Sequence, residues 1–76
     1  MSEKEMNKER AGWARTALDL FAKTVNSSDQ EEAVSDLLAD LMHLCDEDEI
    51  ESGEALARAK RNYEGEVEDA KKEEAS

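Results

Sequence analysis

Apolar residues recur along this chain with helical spacing almost from end to end. In the first third, Met6, Trp13, Ala14, Ala17, Leu18, Phe21, Ala22 and Val25 fall within one half of a helical wheel drawn at about 100° per residue. Arg15, Asp19, Lys23 and Asn26 occupy the other half. The pattern predicts a first helix over about residues 5–25, weakened at Gly12, where glycine costs roughly 1 kcal/mol relative to alanine. A short polar link, Asn26-Ser27-Ser28, follows. Ser28 with Glu31 reads as a capping box, and Asp29, Glu31 and Glu32 put negative charge where a helix dipole favours it. A second helix is therefore expected over about 29–45. Its broad apolar face carries Val34, Leu37, Leu38, Leu41, Leu44 and Cys45, with Met42 at the edge.

The segment DEDEIES interrupts this pattern. Ser52 is the expected cap of a third helix over about 53–70, with Glu54 in its first turn and Ile50 tucked back onto the core. Its apolar stripe is narrower: Ala55, Leu56, Ala59, Tyr63, Val67 and Ala70, with Gly65 weakening the middle. The end, KKEEAS, has little to bury and is expected to form a mobile polar tail over 71–76. Nothing alternates as a strand does, proline is absent and there is no long repeat. The predicted fold is all-α: a single domain over residues 1–70, with three helices made antiparallel to their neighbours by short links.

Seventy-six residues bury a modest fraction of their surface, so such a chain needs a staple. The single cysteine cannot close an internal disulfide, and there is no CxxC or Cys/His set for zinc. Association is the staple left. The expectation is a homodimer that packs helices from two chains into one bundle, with Trp13, Phe21, Leu37, Leu38, Leu41, Leu44 and Tyr63 as its core and dimer residues. A monomeric three-helix bundle is the alternative. Cys45 lies on the apolar side with acids just after it, and reads as a small hydrophobe rather than a nucleophile. A lone thiol also suits a reducing compartment. With no apolar run long enough to span a membrane and no apolar core in MSEKEMNKER, a cytoplasmic protein is expected.

Charge changes the picture most. The formal net charge is -11, and its distribution is lopsided. From Thr24 to Ala57 there is no lysine or arginine, yet that stretch holds eleven acids: Asp29, Glu31, Glu32, Asp36, Asp40, Asp46, Glu47, Asp48, Glu49, Glu51 and Glu54. The ten acids and ten bases elsewhere cancel, so the whole net charge comes from the middle of the chain. Four of these acids favour helix starts, but Asp46 and Glu47 sit where the second helix ends and cations are preferred. Such a surface repels nucleic-acid phosphate and anionic lipid and attracts basic partners. Arg58, Lys60 and Arg61 are expected to balance acids of a neighbouring helix or of a second chain.

Two functions compete on these residues. The first is non-enzymatic: an anionic face carried by Asp36, Asp40, Asp46, Glu47, Asp48 and Glu49 that meets a basic protein, in its sharpest form as a nucleic-acid mimic. It needs no cofactor. The second is a metal-dependent hydrolase. Glu32, Asp36, Asp40, His43 and Glu47 fall within an arc of about 80° on one helix, and Glu32, Asp36, Asp40 and His43 have the spacing to hold magnesium or manganese. Glu31, Glu32 and Asp36 are similar to one half of the motif of MazG-type all-α nucleoside triphosphate pyrophosphatases. In that resemblance, Glu66 and Asp69 of EVED stand for the other half. His43 alone reads as a surface histidine.

Two blocks carry a broader resemblance: SDLLADLMHLCD, Ser35 to Asp46, and EALARAKRNYEGEVE, Glu54 to Glu68. They resemble a group of short acidic helical proteins encoded by bacteria, plasmids and phages, mostly without an assigned role. The segment DEDEIESGE is more acidic than the glycine turn common in that group. The resemblance implies an all-helical fold and a role acting on host or defence machinery. It supplies no catalytic residues.

Overall fold

The computed structural model describes residues 2–75 and places three helices: α1 (Glu3–Val25), α2 (Gln30–Glu47) and α3 (Ser52–Ala75). No strand occurs among the described residues. Met1 lies outside them, as does Ser76, the last residue of the expected tail.

Local chemistry explains each boundary. At the start of α1 the Ser2 hydroxyl accepts from the Glu5 amide at 3.1 Å, which begins the helix two residues earlier than the apolar pattern predicts. α1 ends at Asn26, held left-handed at φ 60°, with the Ser27 amide donating to the Ala22 carbonyl at 2.8 Å. This wrap satisfies carbonyls that the helix leaves open. The expected cap of α2 needs correction. Asp29, not Ser28, occupies that position, and its carboxylate accepts from the Glu31 and Glu32 amides at 3.0 and 3.3 Å. Either residue type caps well; aspartate adds a negative charge at the positive end of the dipole. At α3 the cap also shifts by one: Ser52 is already helical, and Glu51 accepts from the Gly53 amide at 3.3 Å.

The polar end corrects a second expectation. α3 runs through residues 71–75 instead of stopping at 70. Glu73 accepts from the backbone amides of Glu3 at 2.7 Å and Lys4 at 3.3 Å, and Glu74 pairs with Lys4 at 3.0 Å. The end of α3 thus satisfies amides that the first turn of α1 would otherwise leave to water.

α1 packs on both other helices, and α2 and α3 touch each other least. Leu18 of α1 and Ala33 of α2 are the two buried apolar side chains among the described residues and share one hollow, and Phe21 and Leu37 are half-buried. Ala33 is 1% exposed, and its small side chain lets the helices approach. Against α3 the contact is largely polar. Arg10 pairs with Glu3 at 2.8 Å and with Glu66 at 3.3 Å, while the Asn7 amide donates to the Glu66 carbonyl at 3.1 Å. Met6, Val67 and Ala70 are half-buried there. Glu3 beside Glu73 and Arg10 beside Glu66 set an antiparallel register. Carried along both helices, that register sets Trp13 level with Tyr63 and Leu20 level with Leu56.

Most of the expected core is bare within the single chain. Trp13 is 60% exposed, and Leu38, Leu41, Leu44 and Tyr63 lie between 45% and 65%. Ile50 is 49% exposed and does not tuck onto a core. The reason is coverage. On α2, the edge of the apolar arc that holds Ala33 and Leu37 is covered, and Val34, Leu38 and Met42 on the other edge are exposed. On α3, Val67 and Ala70 are partly covered at one end of the stripe, while Leu56 and Tyr63 are bare at the other.

The Leu18 contact should therefore dominate the stability of the chain. Leu18→Ala is expected to cost about 2–3 kcal/mol, which for a domain of this size lowers the melting temperature by at least about 10 °C. Thermal unfolding followed by circular dichroism measures it; a shift under about 2 °C would show that the Leu18–Ala33 region contributes little.

Candidate functional site

The acidic segment is built by the way α2 ends. Asp46 and Glu47 occupy its last turn, which contains no base. Each faces the negative end of the helix dipole and is disfavoured by a few tenths of a kcal/mol. Asp48 is the last residue to close the ladder, its amide donating to the Leu44 carbonyl at 3.0 Å. Glu49 then turns left-handed at φ 58°, and the Ile50 amide reaches back to the Cys45 carbonyl at 2.8 Å. This is the geometry in which helices usually place glycine, because a Cβ there is strained by about 1–2 kcal/mol. Three local preferences are thus set aside at one helix end, at Asp46, Glu47 and Glu49, each time by an acid.

Asp36, Asp40, Asp46, Glu47, Asp48 and Glu49 are all exposed. Among the described residues, no acid between Asp29 and Glu54 takes part in an ion pair. Asp29 and Glu51 accept from backbone amides at helix starts. Among the described residues, nothing hydrogen-bonds the six candidate side chains. Arg58, Lys60 and Arg61 are exposed as well and, among the described residues, form no ion pair with an acid of a neighbouring helix. The acids of residues 29–54 and the bases Arg58, Lys60 and Arg61 therefore all face solvent.

The arrangement is different at the residues proposed for a metal. Glu32, Asp36, Asp40 and His43 lie on an exposed face of α2, opposite its apolar arc. Among the described residues, no three His, Cys, Asp or Glu side chains converge closely enough to hold a metal ion. Glu66, half of the second carboxylate pair in the MazG-type comparison, is engaged by Arg10 in the α1–α3 contact. Cys45 is a free thiol, half-buried on the apolar side. The hollows on the surface are shallow. One, among the described residues, lies along Gln30, Glu31, Val34, Ser35 and Leu38; another lies where α1 meets the start of α2, around Leu18, Asp29 and Ala33. No helix is long and apolar enough to cross a membrane among the described residues.

Arg10 is the residue that periodicity alone could not find. It falls inside the apolar half of the α1 wheel, beside Met6, and reads there as an interruption. In the fold its guanidinium joins Glu3, Asn7 and Glu66. The hydrogen bond it donates to the Glu3 carboxylate, chiefly, and the charges of Glu66 and Glu3 hold its pKa above the ordinary value. Its charge is permanent, so this junction does not depend on titration of the arginine. Leu20 was equally invisible as a feature: it is 68% exposed, one heptad beyond Trp13 on the same edge of α1.

No protein-family model matches this chain, and no curated protein or solved structure matches it either.

The strain at the acidic end has a direct test. Glu49→Gly is expected to stabilise the chain by about 1 kcal/mol, because glycine adopts the left-handed turn without the Cβ cost. A rise of several degrees in the melting temperature is the expected reading; a fall would mean that the glutamate side chain makes a stabilising contact.

Proposed function

We propose that this protein is a non-enzymatic interaction module. In this reading it is homodimeric and presents the anionic surface of residues 29–54 to a basic protein partner. The observation that carries this is the unpaired charge: eleven exposed acids without one lysine or arginine among them, none in an ion pair among the described residues, and nine of them with no side-chain hydrogen bond there. Acids that neither bridge helices nor relieve local strain contribute little to the fold, and at the end of α2 they oppose it. Features that break local rules without a structural gain are where function is sought. In the sharpest form of the reading, carboxylates spaced along a rigid helix take the place of phosphates in a nucleic-acid-binding channel and block it. The supporting physics is complementarity: a concentrated anionic field speeds encounter with a cationic surface and excludes nucleic acid from the same molecule. The role on host or defence machinery implied by the resemblance to mobile-element proteins fits a blocking protein of this kind.

Partner association should be fast and fall steeply with salt. A variant with Asp46→Asn, Glu47→Gln, Asp48→Asn and Glu49→Gln is expected to slow association with a partner isolated at low salt by at least about tenfold. Competing duplex DNA should release that partner. Unchanged association of the variant, together with binding insensitive to salt, would contradict the reading.

A further inference from the structure

The helical arm formed by the second half of α2 and the first half of α3 is bare. From Leu38 to Gly65 every residue is exposed except Cys45 and Ser52, which are half-buried. The arm nevertheless carries Leu38, Leu41, Met42, Leu56 and Tyr63. Val34, Leu38, Leu41 and Cys45 follow the 4-3-4 spacing that helices use to face other helices. We propose that a second copy of this chain packs on this arm, with Leu38, Leu41 and Met42 of α2 and Leu56 and Tyr63 of α3 at the seam. This deepens the homodimeric part of the reading above and is independent of its basic partner.

Area argues for a second copy. The chain exposes 6326 Å². A folded monomer of 8.5 kDa exposes only about 4,700 Å² by the usual scaling of surface with mass, an excess of about 1,600 Å². The radius of gyration tells the same story: 14.8 Å against about 11.4 Å for a compact domain of this length. A standard interface covers about 800 Å² per partner, and obligate homodimers cover about 1,000 to 2,500 Å². The excess falls in the obligate range. Every copy carries the same face, so a two-fold contact lets each cover the other and closes the assembly at two.

The two proposed interactions have opposite responses to salt. Two chains of net charge -11 repel each other, and salt screens that repulsion, so salt tightens the dimer while it loosens the bond to a basic partner.

Sedimentation equilibrium of the unaltered chain tests this. The expected mass is about 17 kDa, twice the 8.5 kDa chain, at roughly 1 to 100 μM protein, with the dissociation constant falling severalfold between about 0.05 and 0.5 M sodium chloride. Leu38→Glu with Leu56→Glu is expected to raise that constant at least about 100-fold. Both side chains are already more than half exposed in the single chain, so the substitution removes no intrachain core. Should the variant lose its helical circular dichroism, the proposal still stands or falls on the mass of the unaltered chain. A mass of one chain at every concentration and salt overturns it and assigns the arm to a different partner. A mass other than two chains, or a dimer untouched in a folded variant, overturns it too. Loss of salt-sensitive partner binding with the dimer intact would instead count only against the anionic reading.

Discussion

Leu18 and Ala33 are the two apolar side chains that the described residues bury, in a molecule whose helices carry apolar residues along most of their length. Ordering each residue of a chain costs on the order of 1–2 kcal/mol of conformational entropy, and burial of apolar surface is the main term that offsets it. So few buried side chains leave the three helices short of cover. The other features follow from this shortage. Polar groups do much of the joining: Arg10 ties α1 to α3, Glu73 reaches the amides at the start of α1, and acids cap the starts of α2 and α3. The contacts between α1 and α3 set those two helices antiparallel. Polar contacts like these do not replace an apolar core, because exposed ion pairs contribute at most about 1 kcal/mol each and caps about 0.5–2 kcal/mol.

The same shortage separates two surfaces with different chemistry. One is apolar, on the arm of α2 and α3. The other is anionic, on the opposite side of α2 and around the turn that follows it. A single amphipathic helix supplies both. Its apolar arc is wider than α1 alone covers, and its polar arc holds acids that no base among the described residues pairs with. The turn at Glu49 continues the acidic side beyond the helix at the cost of an unfavourable backbone conformation. Under the proposed function, self-association uses the first surface and leaves the second free.

Much of this was legible in the order of residues. The three helices, their polar links and the acidic middle all follow from periodicity and charge counting. The misreadings have physical causes. Ser28 and Asp29 are both good caps, and only the backbone of the link decides which is used. Residues 71–75 look structureless because their stabilisation comes from the far end of the chain, through Glu73 and Glu74 meeting Glu3 and Lys4. Trp13 and Tyr63 lie on apolar faces as expected, but periodicity says which side of a helix avoids water and not whether a neighbour exists to cover it. Arg10 looks like a flaw in an apolar stripe until Glu66 is seen opposite.

If cover from a second copy is what completes the fold, unfolding and dissociation are one event. The most direct measurement is the melting temperature by circular dichroism as a function of protein concentration. Coupled dimers become more stable as concentration rises, so an increase of several degrees over about a hundredfold in concentration is predicted. A sharp melt at one temperature across that range would mean that the single chain holds itself together, and would contradict the account.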